Sequence, residues 1–115
     1  MSETPDTVEL PEAVERYLRA HDAHDVSATL ATFAPGATVT DDGQTYEGTL
    51  ALTRWLERTA TEFTYTTTLV GAESDGPGRY TVVQHLEGDF PGGTVDLRYR
   101  FVLDGGLISR LDIAL

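Results

Sequence analysis

Cysteine and lysine are both absent from this 115-residue chain. Without thiols there can be no disulfide, no thiolate metal site and no cysteine nucleophile. Without lysine, all eight cations are arginines, set against 19 carboxylates for a formal net charge of −11. Phosphate recognition needs clustered positive charge, so nucleic acid is excluded as a partner, and an anionic membrane surface is disfavoured. The acidity reads as a solubility device or a coding bias rather than a recognition feature. No apolar run approaches the roughly 20 residues of a membrane span. The opening stretch, Met1 to Leu10, lacks the basic-then-apolar layout of a secretory leader. A soluble cytoplasmic protein is therefore expected. The glycines sit in turns and form neither a phosphate loop nor a dinucleotide fingerprint, so no cofactor is expected. The three histidines, His21, His24 and His85, do not pair on one predicted face, so no metal is expected either.

What is present suffices for one core. Hydrophobic residues make up 40% of the chain, too many for disorder and appropriate to a single domain. Residues 1–9 read as a flexible N-terminus and 10–115 as the domain. Pro11 suits a first helical position, and Glu12 and Glu15 favour the positive end of a helix dipole. Val14, Tyr17, Leu18 and His21 recur at three- and four-residue steps and mark one helical face. Asp25 reads as the N-cap of a short second helix burying Leu30 and Phe33, with Pro35-Gly36 ending it. Ala37 to Asp41 predicts a strand and Asp42-Gly43 a turn. A third helix over Thr49 to Thr59 carries Leu52, Trp55 and Leu56 inward. Four strands follow: Phe63–Glu73, Arg79–Asp89, Thr94–Leu103 and Leu107–Leu115. The short glycine-rich turns between them predict an antiparallel meander.

Alternation along these strands nominates polar residues on inner faces. Val39 and Asp41 share one side of their strand, so if Val39 faces the core a carboxylate follows it inward. Burial there would raise its pKa toward the range of a general base. The plain alternative is turn chemistry in Asp41-Asp42-Gly43, with Asp41 solvated. Gln84 lies among Tyr80, Val82 and Leu86 on an apolar face and either orients a ligand or is satisfied by a neighbour, while His85 points the other way. In the last strand Leu107, Ser109, Leu111 and Ile113 share one side, and Ile108, Arg110 and Asp112 the other. Which side faces inward stays open.

The order helix, helix, short strand, helix, then four long strands resembles that of the nuclear-transport-factor-2-like superfamily. Val14-Glu15-Arg16-Tyr17, Phe33-Ala34, Ala37 to Asp41 and Tyr46-Glu47-Gly48-Thr49 are similar to the opening half of ketosteroid isomerases and SnoaL-like polyketide cyclases. The run from Phe101 to Leu111 is similar to their closing hairpin. The resemblance covers nearly the whole chain after residue 10. It implies an α+β, cone-shaped fold, with three N-terminal helices packed on a curved mixed or antiparallel sheet enclosing a pocket. It also implies Tyr17 as oxyanion donor, Asp41 as proton shuttle and Tyr99 where the isomerase keeps a second, protonated carboxyl donor. Asp112 matches the late-strand aspartate of related cyclases and epoxide hydrolases, a rival acid or base.

The catalytic set expected is thus Asp41, Tyr17, Tyr99 and Asp112. Trp55, Gln84, Phe33, Val82, Leu86, Phe101 and His21 are expected to form the pocket around a small apolar molecule. The function implied is isomerase or cyclase chemistry on an apolar carbonyl compound. The alternative is a non-catalytic ligand-binding or dimerisation module of the same fold, with a homodimer formed through the exposed sheet face.

Overall fold

The computed structural model describes residues 9–62 and 64–115. The expectations for residues 1–8 and for Phe63 at a strand start lie outside them. Three helices, α1 (Glu12–Asp22), α2 (Val26–Leu30) and α3 (Thr49–Glu62), accompany six strands. These are β1 (Phe33–Asp41), β2 (Gln44–Glu47), β3 (Tyr65–Gly76), β4 (Arg79–Gly88), β5 (Thr94–Asp104) and β6 (Leu107–Ala114). They form one sheet in the order β2-β1-β6-β5-β4-β3. The β3–β6 meander is antiparallel as expected, and β1 joins it by parallel pairing to β6, which makes the sheet mixed.

The helices follow their local chemistry. Glu12 and Glu15 stand in the first turn of α1 and Arg19 in its last, each complementing the dipole. Asp25 accepts the amide hydrogen of Ala28 and so caps α2. Leu52, Trp55 and Leu56 form the buried face of α3. They meet Val14 and Tyr17 of α1 and the inward residues Val39, Val82, Phe101, Ile108 and Leu111 of the sheet. Truncating one of the large aromatics here would cost about 3–5 kcal/mol.

Two local readings change. Helix α2 stops at Leu30, so Phe33 opens β1 instead of closing a helix. Pro35-Gly36 interrupts the strand: the pairing with β6 shifts between Phe33 and Thr38, and Gly36 takes a φ of 77°. Proline there donates no ladder bond, so a bulge absorbs it. Second, the residues after Asp42-Gly43 form β2, pairing Asp41 with Gln44. Asp42 and Gly43 have φ of 55° and 77°, the two positive values a tight primed hairpin turn needs.

Another bulge decides the inward side of β6. Val102 pairs with Arg110 but Leu103 with Ile108, so Ser109 is the extra residue, its hydroxyl donating to the Val102 carbonyl at 3.1 Å. Alternation resets across it. Ile108 points inward before the bulge, Leu111 and Ile113 after it, while Arg110 and Asp112 remain outside. Each of the two sequence-based sides was thus half of the inward face.

Candidate functional site

The sheet presents two concave surfaces, one on each side. Between its inner face and the helices lies a cavity of about 270 Å³, lined by Asp41, Trp55, Tyr65, Leu86, Tyr99 and His21 among others. On the outer face is a wider groove of about 580 Å³, where Arg79, Arg98, Arg100 and Arg110 stand among Glu73, Asp75 and Asp112. The inner cavity is the smaller, but its wall is mostly aromatic and aliphatic, with the carboxylates of Asp41, Asp42 and Glu62 among them. That mix suits a small organic molecule with a polar group. The outer groove is a polar, solvated sheet surface.

Asp41 ends β1 on the same side as the fully buried Val39. Its carboxylate accepts a hydrogen bond from the Trp55 indole, Nε1 to Oδ2 at 2.9 Å. Desolvation raises the Asp41 pKa above the ordinary carboxylate value. The indole bond opposes that rise, as does Arg58, while the negative charges of Asp42 and Glu62 add to it. The result is a carboxylate in an aromatic wall, held by a neutral donor rather than neutralised by a cation.

Tyr99 points inward from β5 and is almost wholly buried. Burial pushes its phenol well above the ordinary value, with the Tyr65 charge adding and a side-chain hydrogen bond from Gln84 opposing. It therefore stays a neutral O–H donor, the protonation state an oxyanion partner requires. Gln84, the partner in that bond, is buried on the neighbouring strand β4. Tyr17 lies one layer deeper. It packs against Tyr99 at 6.4 Å between ring centroids, against Phe101 at 5.4 Å and against Phe33 at 5.9 Å. Its hydroxyl is buried without a hydrogen-bond partner, and burial drives its pKa far up. An orphaned buried hydroxyl of this kind costs about 1–3 kcal/mol unless something else satisfies it. His21 stacks on Tyr17, its centroid 5.4 Å away. Burial, reinforced by His24, lowers its pKa to about 4, so it is neutral near pH 7.

The cavity wall thus brings together Asp41, Tyr99, Trp55, Leu86 and His21 of the expected residues. Phe33, Val82 and Phe101 belong to the core behind that wall, with Tyr17. Asp112 stands on the opposite side of the sheet. There Oδ2 accepts from Arg110 Nε at 3.2 Å, and Oδ1 is buried without a partner. It faces the outer groove because the Ser109 bulge reverses the alternation that would have brought it inward. Tyr65, at the start of β3, lines the cavity and was not anticipated; burial raises its pKa too. Its threonine-rich surroundings read only as strand propensity. Nor did the sequence signal the bond from Trp55 to Asp41, since the two residues lie 14 apart on different elements. Among the described residues no group of three or more His, Cys, Asp or Glu could hold a metal ion, and no helix is long and apolar enough to cross a membrane.

A family model for the SnoaL-like domain matches residues 14–111. No curated protein sequence matches the chain. Among solved structures, a candidate polyketide cyclase from Sinorhizobium meliloti is 34% identical, with a TM-score of 0.85 over 91% of this chain and 95% of that one. A Catenulispora acidiphila protein with a ketosteroid isomerase-like fold, crystallised with trimethylamine, is 21% identical. Its TM-score is 0.80 over 93% of this chain and 87% of that one. A Mycobacterium tuberculosis protein in complex with estradiol-17beta-hemisuccinate is 20% identical, with a TM-score of 0.75 over 90% of each chain. The last two share the fold alone.

Proposed function

The chain belongs to the SnoaL-like domain family of the nuclear-transport-factor-2-like superfamily, and from that premise we propose that it isomerises or cyclises a small apolar carbonyl compound by enolisation. Asp41 takes a proton from the carbon beside the carbonyl. The substrate oxygen, gaining negative charge, accepts a hydrogen bond from the Tyr99 hydroxyl. Asp41 then returns the proton at another carbon. In the cyclising case the enolate carbon attacks a second carbonyl carbon of the same molecule, whose C–O π bond opens to an alkoxide that takes the proton back from Asp41. The phenol gives up no proton, so the charge is stabilised by a fixed neutral donor. The unpartnered hydroxyl of Tyr17, one layer behind, is the second donor if the substrate or a water reaches it.

The observation that carries this reading is the half-buried Asp41 carboxylate sharing one aromatic cavity with the Tyr99 phenol. A base with a raised pKa and a neutral acid of very high pKa, facing one space, is the division of labour that enolisation needs. Two of the similar structures hold small organic molecules, which supports a ligand-accepting interior. The test is deuterium uptake from solvent beside the carbonyl of a panel of small cyclic ketones, followed by NMR. Wild-type protein should catalyse uptake and Asp41→Asn should not. Equal uptake with both proteins would remove Asp41 from the chemistry.

A second reading, binding without turnover, is favoured by the depth of Tyr17, whose hydroxyl is not part of the cavity wall. Under it, ketones saturate the cavity in chemical-shift titrations of both proteins and no deuterium enters. In either case the outer groove suits a second copy of the chain. Arg79, Arg98 and Arg100 form no ion pair among the described residues and alternate with acids, so a self-complementary face is available. Sedimentation of wild-type protein against Arg98→Glu tests that arrangement.

A further inference from the structure

Trp55 was expected as an apolar wall, yet its ring does more than exclude water. It is 1% exposed, fixed on α3 between Leu52 and Leu56, and its indole N–H donates to the Asp41 carboxylate. The ring is itself held from the outer side. Tyr46 of β2 lies against it at 6.2 Å between centroids with planes 27° apart. Arg58, one turn further along α3, donates to the Tyr46 hydroxyl at 2.6 Å and places its guanidinium 5.3 Å from the Tyr46 ring centre. The stack Arg58–Tyr46–Trp55 thus runs from solvent to the carboxylate. It is built by two neighbours in sequence space, the β2 hairpin and the helix that follows it.

We propose that Trp55 is the positioning residue of Asp41: its indole N–H holds Oδ2 and leaves Oδ1 as the oxygen that takes and returns the proton. This rests on Asp41 being the base. An indole suits the task because it is a donor only, with no acceptor to compete for the proton and no charge to suppress basicity. An arginine in its place would form a bidentate pair and occupy both oxygens. The other groups acting on Asp41 are Asp42 beside it, Arg58 and Glu62 on α3, and the phenols of Tyr17, Tyr65 and Tyr99. None of these bonds to the carboxylate, so among the described residues Trp55 alone defines its orientation.

The chain has a single tryptophan, so its one indole N–H signal reports this bond without assignment. In a proton–nitrogen correlation series from pH 3 to 8, that signal should move with the same midpoint as the Asp41 carboxyl carbon, and Asp41→Asn should make it flat. Trp55→Phe keeps the ring and removes the N–H. The Asp41 midpoint should then rise by about one pH unit, the size of one hydrogen bond to a charged group. An indole signal indifferent to the Asp41 titration overturns the proposal, as does a folded Trp55→Phe protein with an unchanged midpoint. If that variant does not fold, the wild-type series decides alone. These readouts need no substrate, so they stand apart from the ketone assay, which can fail while the indole bond is confirmed.

Discussion

Asp41 and Asp112 stand almost side by side on neighbouring strands, where Thr40 pairs with Asp112 and Asp41 with Ile113. One pleat puts them on opposite faces of the sheet. Asp41 lies in an aromatic wall with an indole N–H on one oxygen and a pKa raised by burial. Asp112 lies in a field of arginines and takes its bond from Arg110. The difference teaches what a carboxylate needs in order to act as a base. It must be relieved of water without being handed a cation, and only the inner face does that. The histidines repeat the lesson with the opposite charge. Inner His21 is driven down to about 4 by burial, whereas outer His85 is raised by bonds to Asp96 and Glu87.

The strongest way to break the comparison is to neutralise each acid in turn. Asp41→Asn should slow ketone exchange about 10³-fold, within the usual range for a general base. Asp112→Asn should leave the rate within about twofold. Equal losses would mean that the two faces are not chemically distinct. Asp41→Asn should also melt no lower than wild type at pH 7. A carboxyl whose folded pKa is raised contributes stability below its unfolded value, and that contribution is lost as pH rises through the folded one, so ionised Asp41 is a burden the amide removes.

Next comes acid. Between pH 6.5 and about 4 the unfolded chain protonates His21 while the folded chain keeps it neutral. Stability present above pH 6.5 is therefore lost as pH falls through this window, by up to about 3 kcal/mol. Thermal unfolding across the window should show a steeper loss for wild type than for His21→Leu. His85, being raised, works in the reverse sense, and ring-proton titrations should place the two midpoints on opposite sides of 6.5. Tyr99→Phe comes third: removing one donor should lower exchange about 10²-fold with little change in melting. A weaker effect would shift the oxyanion role to Tyr17. Last, Arg110→Ala should change stability by less than about 1 kcal/mol, because the pair with Asp112 is half in solvent.

Much of the fold was legible because its signals were local. Glycine turns cut the last half of the chain into strands, and three-and-four spacing found Tyr17, Leu52 and Trp55 on inward helix faces. Pro35-Gly36 misled because the same pair that stops a helix also makes a bulge, and only the pairing with β6 tells them apart. Strand β2 was hidden by its four-residue length. The site was less legible than the fold. Asp41 and Tyr99 were found by alternation and resemblance, and both line the cavity. Asp112 could not be placed, since its face depends on an extra residue three positions earlier on β6. Tyr65 and the indole bond depend on where an edge strand and a helix come to rest, which no spacing records.

That extra residue, Ser109, can be viewed as a phase switch written in a single codon. Deleting it would leave Ile108, Leu111 and Ile113 in unbroken alternation on the inner side, with Asp112 still outside. Keeping Ser109 and pairing it regularly would instead bring Arg110 and Asp112 round to the side where the leucine and isoleucine now stand. A lineage carrying this sheet therefore need not evolve a new acid to change its chemistry. A one-residue slip of register at the bulge is enough to carry a carboxylate from the water-facing side of the protein into its interior.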